Sequence, residues 1–143
     1  MFAYDWNKRD FNQYRGLLKM MDQMIINLNG MPEESLEKLF QTFRGVMADC
    51  HEILGEYSFC KMGNNKINKA LFTSWAVVLT NAEYNIDILK KGVKELRHLY
   101  QNCLSENTDF YRAITSSTGT RKNILISIEV IRDLWEKCYD KID

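Results

Sequence analysis

The sequence predicts an all-α fold, a single-domain bundle of five to six helices with no substantial sheet. Three observations carry that expectation. Apolar residues recur at three- and four-residue steps along most of the chain, which lines them up on one side of successive helices. A single proline in 143 residues leaves long helices unbroken. Hydrophobic residues make up 45% and charged residues 27% of the chain, a balance that supports one core and argues against disorder. At this length a domain buries roughly two-thirds of the surface its unfolded chain exposes.

Taken in order, residues 1–9 form a loose N-terminal segment. After Asp10 the positions Phe11, Tyr14, Leu18, Met21, Ile25 and Leu28 form a helical stripe, with Asp10 and Gln13 as a capping box and Gly30 as the stop. Pro32 suits the first position of a second helix, and Glu33 and Glu34 sit where the helix dipole favours negative charge. That helix turns Leu36, Leu39, Phe40, Phe43, Met47, Cys50 and Leu54 inward and ends at Gly55. Residues 56–65, "EYSFCKMGNN", lose the period and carry a Gly-Asn-Asn turn signal. A third helix starts near Asn65. Its run Ala76, Val77, Val78, Leu79 implies burial on most sides, a short buried strand being the alternative for residues this β-branched.

Thr80 and Glu83 form another capping box, marking a fourth helix with Ile86, Leu89, Val93, Leu96, Tyr100 and Cys103 on its stripe. A shorter helix spans Thr108 to Thr115, "TSSTGT" is a turn, and Ile124, Ile128, Ile131 and Trp135 mark a last helix from about Thr120 to Tyr139. Gly16, Gly45 and Gly92 fall inside these helices at ~1 kcal/mol each relative to Ala, and close helix crossings are the expected compensation.

Composition narrows the chemistry. Nineteen basic residues balance nineteen acidic ones, which removes the strongest argument for a nucleic-acid binder or a polybasic membrane anchor. Cys50, Cys60, Cys103 and Cys138 are widely spaced, with no C-x-x-C or H-x-x-x-H to suggest zinc, so they read as reduced, buried thiols. No apolar run approaches the ~20 residues of a membrane span, and "MFAYDWNKRD" lacks the core of a signal peptide, which points to the cytoplasm.

Candidates for catalysis are few. His51 and His98 are the only histidines, and Cys50 beside His51 points ~100° away from it on a helix, so the pair reads as a core thiol next to a surface imidazole. The carboxylates Glu33/Glu34/Glu37 and Glu129/Asp133/Glu136 align on helix faces as divalent metals require, but the first group occupies a helix start and the second is interleaved with Arg132 and Lys137, as solvated faces are. Phosphate-loop, dinucleotide-fold and zinc-hydrolase motifs are absent. No catalytic residue, metal, cofactor or small-molecule substrate is expected.

What remains is local. No acid lies between Glu56 and Glu83, a stretch that holds Lys61, Lys66 and Lys69, and Arg121 with Lys122 forms a second basic group after "TSSTGT". Both groups lie at predicted helix N-termini, where backbone amides and lysines hold phosphate oxygens. Lys61, Lys66, Asn68, Lys69, Arg121 and Lys122 are therefore the candidate nucleic-acid or partner contacts; the plainer reading is ordinary surface charge. Phe72 and Trp75, one turn apart, read as core rather than as a base-stacking platform.

Phe59-Cys60, then "INKALFTSWAVVLTN" and "FYRAITSSTGTRKN", resemble in order and spacing the C-terminal half of the GmrSD-type family of bacterial proteins with a ParB-like N-terminal domain. The resemblance spans about residues 53–135. It is strongest at Asn68, Lys69, Ala70, Leu71 and Phe72, with support at Trp75, Ser117, Thr118 and Gly119. It implies a modification-dependent restriction or phage-defence protein whose helical region packs on or regulates a ParB-like domain. The family's Asp-Gly-Gln-Gln-Arg catalytic motif has no counterpart here, Cys60 stands where the family has a basic residue, and Ser127 stands near the place of an arginine. The expected role is thus a non-enzymatic helical domain with a protein partner and a DNA-facing basic edge. The alternatives are a stand-alone protein-interaction module using the Phe2, Tyr4, Trp6 strip, and a small enzyme built around His51 or His98.

Overall fold

A computed structural model describes residues 14, 16–56, 58–82 and 85–139. Among the described residues six helices follow one another: α1 (Leu17–Asn29), α2 (Glu33–Leu54), α3 (Lys69–Asn81), α4 (Ile86–Glu106), α5 (Thr108–Thr115) and α6 (Arg121–Tyr139). Among the described residues there is no strand, and a lone antiparallel bridge joins Cys60 to Ile67. The all-α bundle is therefore as expected.

Several boundaries move, each for a local reason. The first helix begins at Leu17 because Gly16 takes φ +108°, a conformation that side chains with a Cβ rarely adopt; the Asp10–Gln13 pattern lies outside the described residues. Pro32, with ψ 146°, precedes α2 as its cap rather than occupying its first turn. The third helix starts at Lys69, four residues later than expected, because Cys60 bridges to Ile67 and the Asn68 amide donates to the Phe59 carbonyl at 2.8 Å. Thr80 does not open the fourth helix: it lies within α3, and α4 is capped by Asn85, whose side chain accepts from the Asp87 amide at 2.9 Å. Asn107 caps α5 in the same way, through the Phe110 amide at 2.9 Å. Asparagine thus opens α3, α4 and α5, as its short amide side chain favours.

The core is built where α3, α4, α6 and the C-terminal half of α2 meet, with α5 packed on α6 and α4. Trp75 and Leu71 of α3, Ile53 of α2, Leu96 of α4, and Ile128 and Ile131 of α6 are almost wholly inaccessible. Burying each such side chain contributes about 1.5–3 kcal/mol. Val77, Val78 and Leu79 are buried within α3, which removes the strand alternative for that run. The predicted stripe of α6 is entirely buried, joined by Ser127, Leu134 and Cys138.

The N-terminal helices depart from their predicted stripes. In α1 the buried residues are Met20 and Met24, while Leu18, Met21 and Ile25 are exposed. Leu17, Leu18, Ile25 and Ile26 make α1 apolar on more than one side, so periodicity could not select the inward face. In α2 only Val46, Cys50, Ile53 and Leu54 are buried, and Phe40 and Phe43 are exposed, because the helix meets the bundle only through its later turns. A Cβ at Gly45 would meet nothing within 4 Å, so no close crossing explains that glycine, and Gly16 lies outside a helix.

Candidate functional site

The two sequence segments that stood out converge on α5 and the turn after it. Asn68 is the hinge of that arrangement. Its side-chain oxygen accepts from the amides of Ala70 and Leu71 at 2.9 and 3.0 Å, and its nitrogen donates to the Ile114 carbonyl at 2.7 Å. One side chain therefore satisfies orphan donors at the start of α3 and an orphan acceptor at the end of α5. Both its polar atoms are engaged within the fold, and they occupy amides at the α3 N-terminus that a phosphate would otherwise use.

The turn itself is held from below by Asn123, whose side-chain nitrogen donates to the carbonyls of Ser116 and Ser117 at 2.7 and 3.1 Å. Ser117 adopts φ +50°, and the Thr120 amide closes the turn on the Ser117 carbonyl at 3.0 Å. From the other side, the Tyr14 hydroxyl donates to the Gly119 carbonyl at 2.7 Å, and burial raises the pKa of that phenol. Lys69, Ala70 and Thr73 of α3, Thr118 and Gly119 of the turn, and Leu17 of α1 share a cavity of about 70 Å³. The "NKALF" and "SSTGT" segments, some fifty residues apart, are thus in register with each other.

Around this scaffold stand the predicted cations. Lys61 is half-buried, with its ammonium 5.9 Å from the centre of the Tyr111 ring on α5. Lys66 and Lys69 are exposed on either side of Asn68, and Arg121 and Lys122 are exposed in the first turn of α6. Among the described residues no carboxylate lies within ion-pair distance of Lys61, Lys66, Lys69 or Lys122, whereas Lys38, Arg44, Lys90 and Arg112 all have one. Met62, Ile67 and Tyr111 lie exposed on the same segments.

Comparison of the chain with protein-family models yields no match. Neither curated proteins nor solved structures yield one.

The remaining candidates are placed as follows. Cys50 is fully buried, and desolvation, reinforced by Asp49, pushes its thiol up to about 12, while His51 next to it is exposed. His98 is exposed as well, and neither histidine lines the cavities described here. All four cysteines are thiols. Glu34 and Glu37 are paired with Lys38 and Arg44 at 2.8 and 3.0 Å. Glu129, Asp133 and Glu136 are exposed along α6. Among the described residues no three His, Cys, Asp or Glu side chains group as metal ligands would, and no helix is long and apolar enough to cross a membrane.

One feature had no signal in the sequence. A cleft of about 600 Å³ lies between the end of α2, the 60–65 turn and α4, with Lys61 and Arg97 on its wall and Tyr100 and Leu104 from the next turns of α4. Arg97 belongs to no motif of the sequence. Its guanidinium donates to the carbonyls of Ile53 at 2.6 Å and Glu52 at 3.1 Å, which caps the end of α2.

Proposed function

We propose that the chain is a non-enzymatic helical module that holds DNA through the cationic surface around α5 and the 116–120 turn. The single observation that carries this reading is the convergence of two distant segments: Asn68 ties the Lys66–Lys69 segment to α5, and Lys69 shares a cavity with the turn that leads into Arg121 and Lys122. Lysines without carboxylate partners keep their charge available for phosphates, and Tyr111 offers an exposed ring beside Lys61. The same two segments carry the resemblance to GmrSD-type defence proteins. On that reading the module belongs to such a system, working with a ParB-like domain that supplies the chemistry.

The test is fluorescence anisotropy with labelled duplex DNA over a range of salt. Binding through released counterions weakens steeply with salt, and removing each phosphate-contacting lysine lowers the slope of log K against log salt by about one. Lys66→Ala with Lys69→Ala and Lys122→Ala should weaken binding regardless of sequence. Equal affinity of that triple variant and the wild type would refute the reading.

A second reading rests on a different observation. Leu18 and Ile26 on α1 and Phe40 on α2 are 78%, 63% and 57% exposed, apolar side chains that a protein partner would cover. It predicts partner binding that survives the triple lysine variant and is lost with Leu18→Glu.

A further inference from the structure

The cleft beside α4 has a chemistry of its own. Its apolar part is Leu54, Leu104 and the body of Tyr100; its polar part is Lys61, Arg97 and the amides of Asn64, Asn65 and Gln101, with no carboxylate among its lining residues. Arg97 is fixed before any ligand arrives. Two of its five N–H groups are spent on the Ile53 and Glu52 carbonyls, leaving three, and the guanidinium lies 3.4 Å from where a Cβ on Gly55 would stand. Gly55, at φ +78°, leaves that space open.

Tyr100 joins the cleft to the core. It is 5% exposed and lines the cleft with its ring, while its hydroxyl is inaccessible and lies beside the Trp75 indole, the two rings meeting edge to face with centroids 5.4 Å apart. Burial raises the phenol pKa, and the indole N–H opposes that rise.

We propose that this cleft binds a small planar organic phosphate of nucleoside monophosphate size, with its phosphate between Lys61 and Arg97 and its base against Leu54, Tyr100 and Leu104. Two cations with no lining carboxylate match a phosphate dianion better than a single carboxylate. The three amides offer both donors and acceptors, as the edge of a base requires. The volume falls within the ~300–1,000 Å³ of small-molecule sites. This site shares Lys61 with the DNA surface but is separable from it, because Lys66, Lys69 and Lys122 do not line it.

Isothermal titration calorimetry of the full chain with AMP, GMP, CMP and UMP tests the proposal. At least one should bind saturably in the ~10–100 μM range, and adenosine and inorganic phosphate, each lacking one part of the ligand, should bind about tenfold more weakly or worse. Lys61→Ala and Arg97→Lys should each weaken the nucleotide about tenfold or more, with folding checked by circular dichroism; Lys61→Ala suffices if Arg97→Lys destabilises the α2 end. Lys66→Ala with Lys69→Ala should leave nucleotide binding unchanged. No saturable binding up to about 10 mM, unaltered affinity in Lys61→Ala, or tighter binding of indole-3-acetate than of any monophosphate overturns it.

Discussion

Replacing Asn68 removes three hydrogen bonds that join two helix ends, and the loss follows from the geometry. In Asn68→Ala the amides of Ala70 and Leu71 lose their cap, which costs about 1 kcal/mol. The Ile114 carbonyl, which received its bond at 2.7 Å in a half-buried position, loses its donor, for about 1–3 kcal/mol more. The sum is about 2–4 kcal/mol. For a chain of this length each kcal/mol lowers the melting temperature by about 3–4 °C, so a fall of roughly 6–16 °C is expected. Asn68→Ser keeps a capping oxygen but not the donor to Ile114, so it should lie between wild type and Asn68→Ala. Urea denaturation and thermal scans of the three proteins read this directly. A change below about 0.5 kcal/mol in Asn68→Ala, or Ser and Ala variants of equal stability, would refute the double-cap account. A further measurement separates scaffold from contact: at a temperature where Asn68→Ala is folded, its DNA affinity should match that of the wild type.

Four other outcomes follow from the same structure. Tyr100→Phe removes an unpartnered buried hydroxyl, so the free protein should be unchanged or stabilised by up to about 1 kcal/mol in urea denaturation; a clear loss would mean that the hydroxyl is satisfied. Gly55→Ala meets both φ +78° and the Arg97 guanidinium and should cost about 1–2 kcal/mol, whereas Gly45→Ala, mid-helix with open space around it, should gain about 0.5–1 kcal/mol. Disulfide-exchange labelling at pH 8 should modify Cys103 ahead of the three buried thiols, and all four in denaturant. Above pH 9.0 the unfolded Cys50 releases its proton while the native thiol, pushed up to about 12, keeps it. Stability should therefore fall with rising pH across that window, by up to about 1.4 kcal/mol per pH unit from this group, and Cys50→Ser should flatten the fall.

The legible parts of this chain were those where one physical signal had no rival. The α6 stripe of Ile124, Ile128, Ile131 and Trp135 recurs at helical spacing, and all four are buried. The α3 run from Ala76 to Leu79 was recognised as central because no polar residue interrupts it. Where two local signals competed, the tertiary context chose. Thr80 with Glu83 offered a helix start directly after the apolar run that ends at Leu79; α3 packs on through Thr80 because Val77, Val78 and Leu79 are anchored in the core, and α4 is capped at Asn85 instead. In α1, Leu18 and Met20 were equally apolar, and the helix turned Met20 inward where Tyr14 and Leu17 meet Gly119.

By itself the sequence determined the helical class, the burial of Cys50, Cys60 and Cys138 though not of the half-buried Cys103, the exposed imidazole of His51, and which residues carry positive charge without local acids. These are properties of neighbours along a chain, set by period, capping chemistry and composition. Only the tertiary structure decided what those residues do together: that Asn68 closes two helices at once, that Lys69 meets the 117–119 turn, and that Arg97, fixed on the end of α2, lines one cleft with Lys61. Such groupings depend on contacts between residues some forty to fifty positions apart. No local periodicity encodes these, because they exist only after burial of the core has brought the helix ends to one place.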